Sequence, residues 1–245
     1  MGRTFRECII GVLFGMKLKQ LIDTLIHGNL YQFNVAKNEQ FPAIINAANQ
    51  ELIQLYSRFP VLEKDVAFRR FPQISMYHLT RRYCRSNDES NELYKYILDT
   101  KDNPFLGDIL KIENAYTESG QHIVLNDNNN PRSWFTPSFD TIQIPNTTDV
   151  DTRIAVIGYK AKPEYIDPDT NNFEQDIYIP SCLEEPLVYG ITLRIAQRLP
   201  TQTAAQVVQM AQAKYKELCD NVDTLNLFHE NTVSTNVKLG MRKFV

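Results

Sequence analysis

Apolar side chains recur along this chain with a helical period at both ends and a shorter period between them. Near the start, Leu18, Leu21, Ile22, Leu25 and Ile26 fall on one helical face, and Gly28 stands where a glycine ends a helix. A longer stripe follows: Phe41, Ile44, Ile45, Ala48, Leu52, Leu55, Tyr56 and Phe59, with Pro42 suited to a first turn and Pro60 closing the run. From about residue 66 the period changes. Val66, Phe68, Ile74 and Met76 fit alternating strands around Pro72, and further apolar runs cover 109–115, 121–125, 141–144, 154–161 and 175–179. Turn-rich stretches at 118–120, 126–131 and 167–172 separate them. This rhythm predicts an antiparallel sandwich or barrel with a short helix over 88–99 inside it.

Helical spacing returns after Pro180. Leu183, Leu187, Ile191, Leu193, Ile195 and Ala196 precede Pro200, and Thr201 is placed to cap a helix over 202–222 with Ala205, Val208, Ala211, Tyr215 and Leu218 on its apolar face. The pattern therefore predicts an α+β fold. An α-helical bundle is built from 16–65 and 181–223, a β-sandwich or barrel domain is inserted over 66–180, and 224–245 forms an extended C-terminal arm. The arm mixes Leu225, Leu227, Phe228, Val233, Val237, Leu239, Met241 and Phe244 with basic Lys238, Arg242 and Lys243, which is more apolar than a disordered tail and fits a segment ordered by docking onto a neighbour. Met16-Lys17-Leu18-Lys19 resembles a natural start, so residues 1–15 are expected to be a poorly ordered extension.

Composition narrows the function classes. The 245 residues are 43% hydrophobic and 22% charged, with a net charge of −3, which excludes collagen, disulfide scaffolds and generally disordered chains. Residues 67–182 hold 12 basic and 17 acidic side chains, while each flank carries one excess positive charge. A surface that grips duplex phosphates needs a basic excess, so the balance argues against tight DNA binding. The apolar run from Ile9 to Gly15 is too short to span a bilayer, and Arg6 stands where myristoylation wants Ser or Thr. Cys8, Cys84, Cys182 and Cys219 match no zinc or redox spacing and read as reduced and mostly buried.

Recognisable catalytic chemistry is scarce. His27, His78, His122 and His229 lie far apart with no acid or Cys at ligand spacing, and the chain has no nucleophile elbow, Walker loop, dinucleotide fingerprint or zinc-helix motif. Asp167-x-Asp169-x-Asn171 imitates the start of a calcium loop, but Asn172 and Tyr178 occupy the positions of the required Gly and Glu. A hairpin tip explains it without a cation. Only 9 Gly leaves little room for phosphate loops, whereas 13 Phe and 12 Tyr could serve a sugar-stacking platform, a sandwich core or protein interfaces. Trp134-Phe135, between Pro131 and Pro137, reads either as an exposed anchor or as core. Arg194, Arg198, Lys214 and Lys216 could touch nucleic acid, but Glu217 and Asp220 interleave with them as on a solvated helix face.

One stretch carries a family likeness. Asn46-Ala47-Ala48-Asn49-Gln50-Glu51-Leu52, ending in Tyr56-Ser57-Arg58-Phe59-Pro60, resembles the N-terminal helix of head-to-tail connector proteins of short-tailed phages, also called adaptor or tail tubular A proteins. The strands around 108–112, 123–126 and 154–161, and Ile177-Tyr178-Ile179-Pro180 leading into a helix, extend the likeness over 41–222, with crAss-like phages the nearest group. The resemblance implies a non-enzymatic virion protein forming a homo-oligomeric ring, commonly a dodecamer, without cofactor or metal. Such a ring sits under the portal protein, meets the next tail ring or tail tube on its other side, and passes double-stranded DNA without reading it. The helical domain would lie nearer the portal and the arm would reach onto it. Trp134, Phe135, Leu227, Phe228, Val237, Leu239, Met241, Arg242, Lys243 and Phe244 are then the expected interface residues, and a carbohydrate-binding or carbohydrate-active β domain is the alternative.

Overall fold

The computed structural model describes residues 15–33, 40–145, 153–225 and 227, and over them the chain is mixed α/β, with four helices and antiparallel sheets in two compact units. The first unit contains the described residues up to 61 and from 163 onward, and the second contains those from 62 to 162. The division corrects the expected domain boundary. Residues 163–180, expected in the β domain, belong with the helices.

In the first unit a short strand β1 (Gly15–Lys17) pairs antiparallel with β9 (Asp176–Tyr178), placing Met16 opposite Ile177. Gly15, expected in the extension, thus lies in a strand, while residues 1–14 fall outside the described residues. Helix α1 (Leu18–His27) continues directly from β1, and two of its first amide N–H groups donate to Gln175 and Phe173 carbonyls at 2.9 Å. Those bonds satisfy donors that a helix start leaves open. Leu18, Leu21, Ile22, Leu25 and Ile26 are buried as their spacing requires, each contributing about 1.5–3 kcal/mol. Gly28 ends the helix where a Cβ would stand 2.5 Å from the Thr24 carbonyl oxygen.

Helix α2 (Phe41–Arg58) carries Pro42 in its first turn and buries the predicted stripe. Helix α3 (Ser181–Ala196) buries Leu183, Leu187, Ile191 and Ile195 and packs against α1, α2 and α4 (Gln202–Thr224). A helix apolar on several sides suits that central place. Thr201 caps α4 by accepting the Ala204 N–H at 3.1 Å, as predicted. The apolar face of α4 is rotated from the expected one: Ala204, Val207, Ala211, Cys219 and Val222 are buried, whereas Ala205 is exposed.

The second unit holds two sheets and no closed barrel. Strands β2 (Glu63–Arg69), β4 (Ile109–Thr117), β5 (His122–Ile123) and β8 (Ile154–Ala161) form one sheet in the order β2-β8-β4-β5. Strands β3 (Met76–His78), β6 (Phe135–Ser138) and β7 (Thr141–Gln143) form the other in the order β3-β7-β6. In the first sheet Val66 pairs with Ile157 and Phe68 with Ala155, so the period-two pattern turns both pairs toward one core shared with Tyr77, Ile142 and Trp134. The predicted helix over 88–99 does not form. That stretch is irregular, and its backbone instead bridges β2 and Cys84 through Ile97. Asp99 fixes the loop by accepting the Ser86 N–H at 2.9 Å, the Ser86 hydroxyl, and the Phe105 N–H at 3.1 Å.

Candidate interaction surfaces

The polar positions within the Asn46–Pro60 motif act as ties between elements. Asn49, 7% exposed, donates to the Ile166 carbonyl at 2.7 Å and accepts the Ile166 N–H at 3.0 Å, holding the returning chain against α2 as a strand partner would. Glu51, 2% exposed, accepts from Arg194 Nε at 2.8 Å, and the same guanidinium donates to Gln54 at 2.6 Å. Gln54 in turn donates to the Tyr215 hydroxyl at 3.3 Å. Tyr56 donates to the Tyr178 carbonyl, and Arg58 pairs with Asp220 at 3.2 Å and Asp223 at 2.5 Å. Together these contacts fasten α2 to α3, to α4 and to β9.

The Glu51 cluster is the most chemically loaded place in the helical unit. Gln54, Leu193, Arg194, Gln197 and Tyr215 line a shallow cleft of about 190 Å³ beside it. The Glu51 carboxylate lies over Gly190, where a Cβ would come within 2.3 Å of its Cδ. Burial pushes the Tyr215 hydroxyl well above the usual phenol range, and the neighbouring carboxylate of Glu51 pushes the same way, so Tyr215 stays a neutral donor. The Arg194 guanidinium holds one Glu51 oxygen, and Tyr215 stands beside the pair as a neutral phenol. The arrangement fixes helix register, the best-attested use of a buried ion pair.

Trp134 corrects the expectation of an exposed anchor. It is 2% exposed; its ring packs on Phe68 at 6.1 Å between centroids, with the Arg70 guanidinium 5.6 Å from the ring centre. The reason is backbone pairing: the Trp134 N–H donates to Val124 at 3.0 Å and its carbonyl accepts the Asn126 N–H at 2.8 Å, which turns the indole inward. Phe135, at the start of β6, is half-buried. Leu227 is 48% exposed, and Phe228, Val237, Leu239, Met241, Arg242, Lys243 and Phe244 lie outside the described residues.

The aromatic side chains of the second unit are largely spent inside it. Tyr77 accepts the Phe71 N–H at 2.7 Å and donates to the Phe71 carbonyl at 3.1 Å. Tyr96 splints His78 in the same way at 2.9 and 2.8 Å. Tyr83 stacks on Tyr96 with ring centres 4.7 Å apart. The three rings add apolar area, and the Tyr77 and Tyr96 hydroxyls satisfy the backbone groups of Phe71 and His78.

Other expected features find local roles. Asp167 accepts the Asp169 N–H at 3.1 Å, and the Thr170 N–H closes the same turn on the Asp167 carbonyl. His78 shares a hydrogen bond with Thr141 at 3.0 Å, and His122 stands edge-on to Tyr116. Cys84, Cys182 and Cys219 are free thiols, and burial pushes Cys84 up to about 12, far from a reactive thiolate. Of the basic residues considered for nucleic acid, Arg194 is engaged by Glu51 and Lys214 pairs with Glu217 at 3.0 Å. Among the described residues no group of three or more His, Cys, Asp or Glu could hold a metal ion, and no helix is long and apolar enough to cross a membrane.

Glu51 and Asn49 are the important residues that the hydrophobic pattern alone passes over. The signal is present: both polar residues occupy positions of the buried stripe, Glu51 between Ala48 and Leu55 and Asn49 between Ile45 and Leu52. The chain matches no protein-family model, and no curated protein is significantly similar to it in sequence.

Proposed function

We propose that this chain is a non-enzymatic virion protein that forms a ring in the neck of a short-tailed phage, joining the portal to the tail and continuing the DNA channel. The observation that carries the reading is the path of the chain. It leaves the helical unit after residue 61, builds the β unit, and returns at residue 163 to finish the same helical unit with α3 and α4. That α–β–α order is what the resemblance implies, with a helical bundle carrying an inserted β-sandwich. The connector-like motif also accounts for α2, whose polar members tie it to α3, α4 and the returning chain.

A channel wall should pass phosphates rather than retain them, and the net charge of −3 with its acidic middle segment suits that task. The carbohydrate alternative draws no support from Tyr77, Tyr96 and Trp134, which are buried. The test is native mass spectrometry or negative-stain imaging of the full chain, alone and mixed with portal protein. Rings, alone or seated on portal, are expected; a monomer under both conditions refutes the reading. Deleting residues 224–245 should leave a folded protein that no longer assembles on portal.

A further inference from the structure

The outer faces of α2 and α4 have an unusual composition for solvated helices. On α2, every exposed residue from Ala43 to Ser57 is uncharged, and Asn46, Gln50 and Ile53 form a stripe at helical spacing. On α4, no residue from 202 to 213 is charged, and Gln206, Gln209 and Met210 are exposed together. Ile53 is 42% exposed and Met210 is 59% exposed. Solvent-facing helix surfaces ordinarily carry Lys, Glu, Asp and Arg, and depletion of charge with enrichment of Met marks the centre of a protein interface.

We infer that these two faces are the two halves of one contact between copies of this chain, with the α2 stripe of one copy lying on the α4 stripe of the next. The inference rests on the ring reading above and gives it a place on the molecule. Three observations favour a second copy as the occupant. Both faces are charge-free and amide-rich, and Asn and Gln amides donate and accept at once, so each face supplies what the other can pair with. A strongly charged partner would instead have to strip water from its ions against neutral amides. The faces also match in length, since residues 43–57 of α2 span about 21 Å and residues 202–213 of α4 about 17 Å at the helical rise.

They also belong to different helices of one unit. Both helices pack on α3, and α2 is tied to α4 toward its C-terminal end through Gln54–Tyr215 and Arg58–Asp220/Asp223. A contact between two different faces is heterologous and propagates head to tail, closing into a ring where the rotation allows. A helix pair of this length covers only part of the roughly 800 Å² per partner that a stable interface buries. It is therefore the centre of the contact, with other parts of the chain adding to its rim.

The test uses the full chain with Ile53→Lys on α2 and Met210→Glu on α4, each at an exposed site and each checked for native circular dichroism. Light scattering after size exclusion, with portal added if the wild type assembles only there, should show the wild type assembled and each variant by itself largely monomeric. An equimolar mixture should reassemble, because the lysine face of one variant then meets the glutamate face of the other, while the remaining contacts are wild type. If only Ile53→Lys disrupts assembly, the contact is a symmetric α2–α2 pair and the inference is overturned. Loss in both variants without recovery on mixing also overturns it. If both variants assemble like the wild type, the contact lies elsewhere and the ring reading survives without this inference. A wild-type chain that stays monomeric alone and with portal overturns both.

Discussion

Glu51 shows how much one residue can decide in this protein. Its carboxylate is buried on α2, held by Arg194 and fitted over Gly190, so all three positions are interdependent. Gly190→Ala forces a methyl group into that space. The displaced group is the end of a side chain, but one already fixed by its ion pair, and the expected cost is about 1–3 kcal/mol in urea unfolding. Arg194→Ala leaves a buried carboxylate without its partner and should cost about 3 kcal/mol, less whatever solvent recovers at the partly exposed guanidinium. The double replacement Glu51→Leu/Arg194→Met should regain much of that loss, because no charge is then buried.

Two side chains set pH limits from opposite ends. Burial pushes the Tyr56 hydroxyl from 10.0 up to about 12. A pKa raised on folding stabilises fully below the unfolded value, so this contribution is present below pH 10 and is lost as pH rises toward 12. Tyr56→Phe should flatten that part of the stability curve measured by denaturant unfolding. For Asp99, burial alone would raise the pKa, but hydrogen bonds from Ser86 and Phe105 outweigh it and hold the carboxyl below its ordinary 3.8. Its contribution is therefore present above that value and is lost as pH falls below it; Asp99→Asn should remove part of the acid dependence.

At the scale of elements, the helices follow their sequence signals closely because those signals are local. Pro42, Pro60, Gly28 and Thr201 start or stop helices through missing donors, steric limits or a capping hydroxyl. Thr201→Ala should cost about 1 kcal/mol, read as a lower thermal midpoint without loss of assembly. Strand pairing is less local. The 175–179 run has the right period for a strand, but its partner is β1, a segment more than 150 residues away at the other end of the chain. Alternation identifies a strand without naming its sheet, and the run lies in the helical unit rather than the β unit. Over 88–99 no helix forms, because Asp99, Tyr96 and Ile97 bind backbone and side chains elsewhere in the β unit and those contacts outweigh weak local propensity.

For the whole molecule, much of the aromatic surplus is spent on the core of the β unit. Phe68, Tyr77, Tyr96 and Trp134 are core members, and the hydroxyls of Tyr77 and Tyr96 splint the backbone at Phe71 and His78. Trp134→Ala should therefore destabilise the β unit by about 3–5 kcal/mol in denaturant unfolding, the cost of emptying a large aromatic site, and should leave any sugar or partner binding by folded protein unchanged. A folded Trp134→Ala variant with unchanged stability would show that the indole does not carry the core.

What the sequence determined by itself was the order of elements, α–β–α, together with the helix limits and the lack of a spaced catalytic motif. These depend on periods and punctuation read within a few residues. Tertiary structure alone decided that Trp134 faces inward, that residues 163–180 pack with the helices, that Glu51 meets Arg194 across more than 140 residues, and that the residues of α2 left exposed from Ala43 to Ser57 are free of charge. Each of these depends on which distant surfaces meet, and a one-dimensional pattern of apolar and polar positions does not encode that pairing.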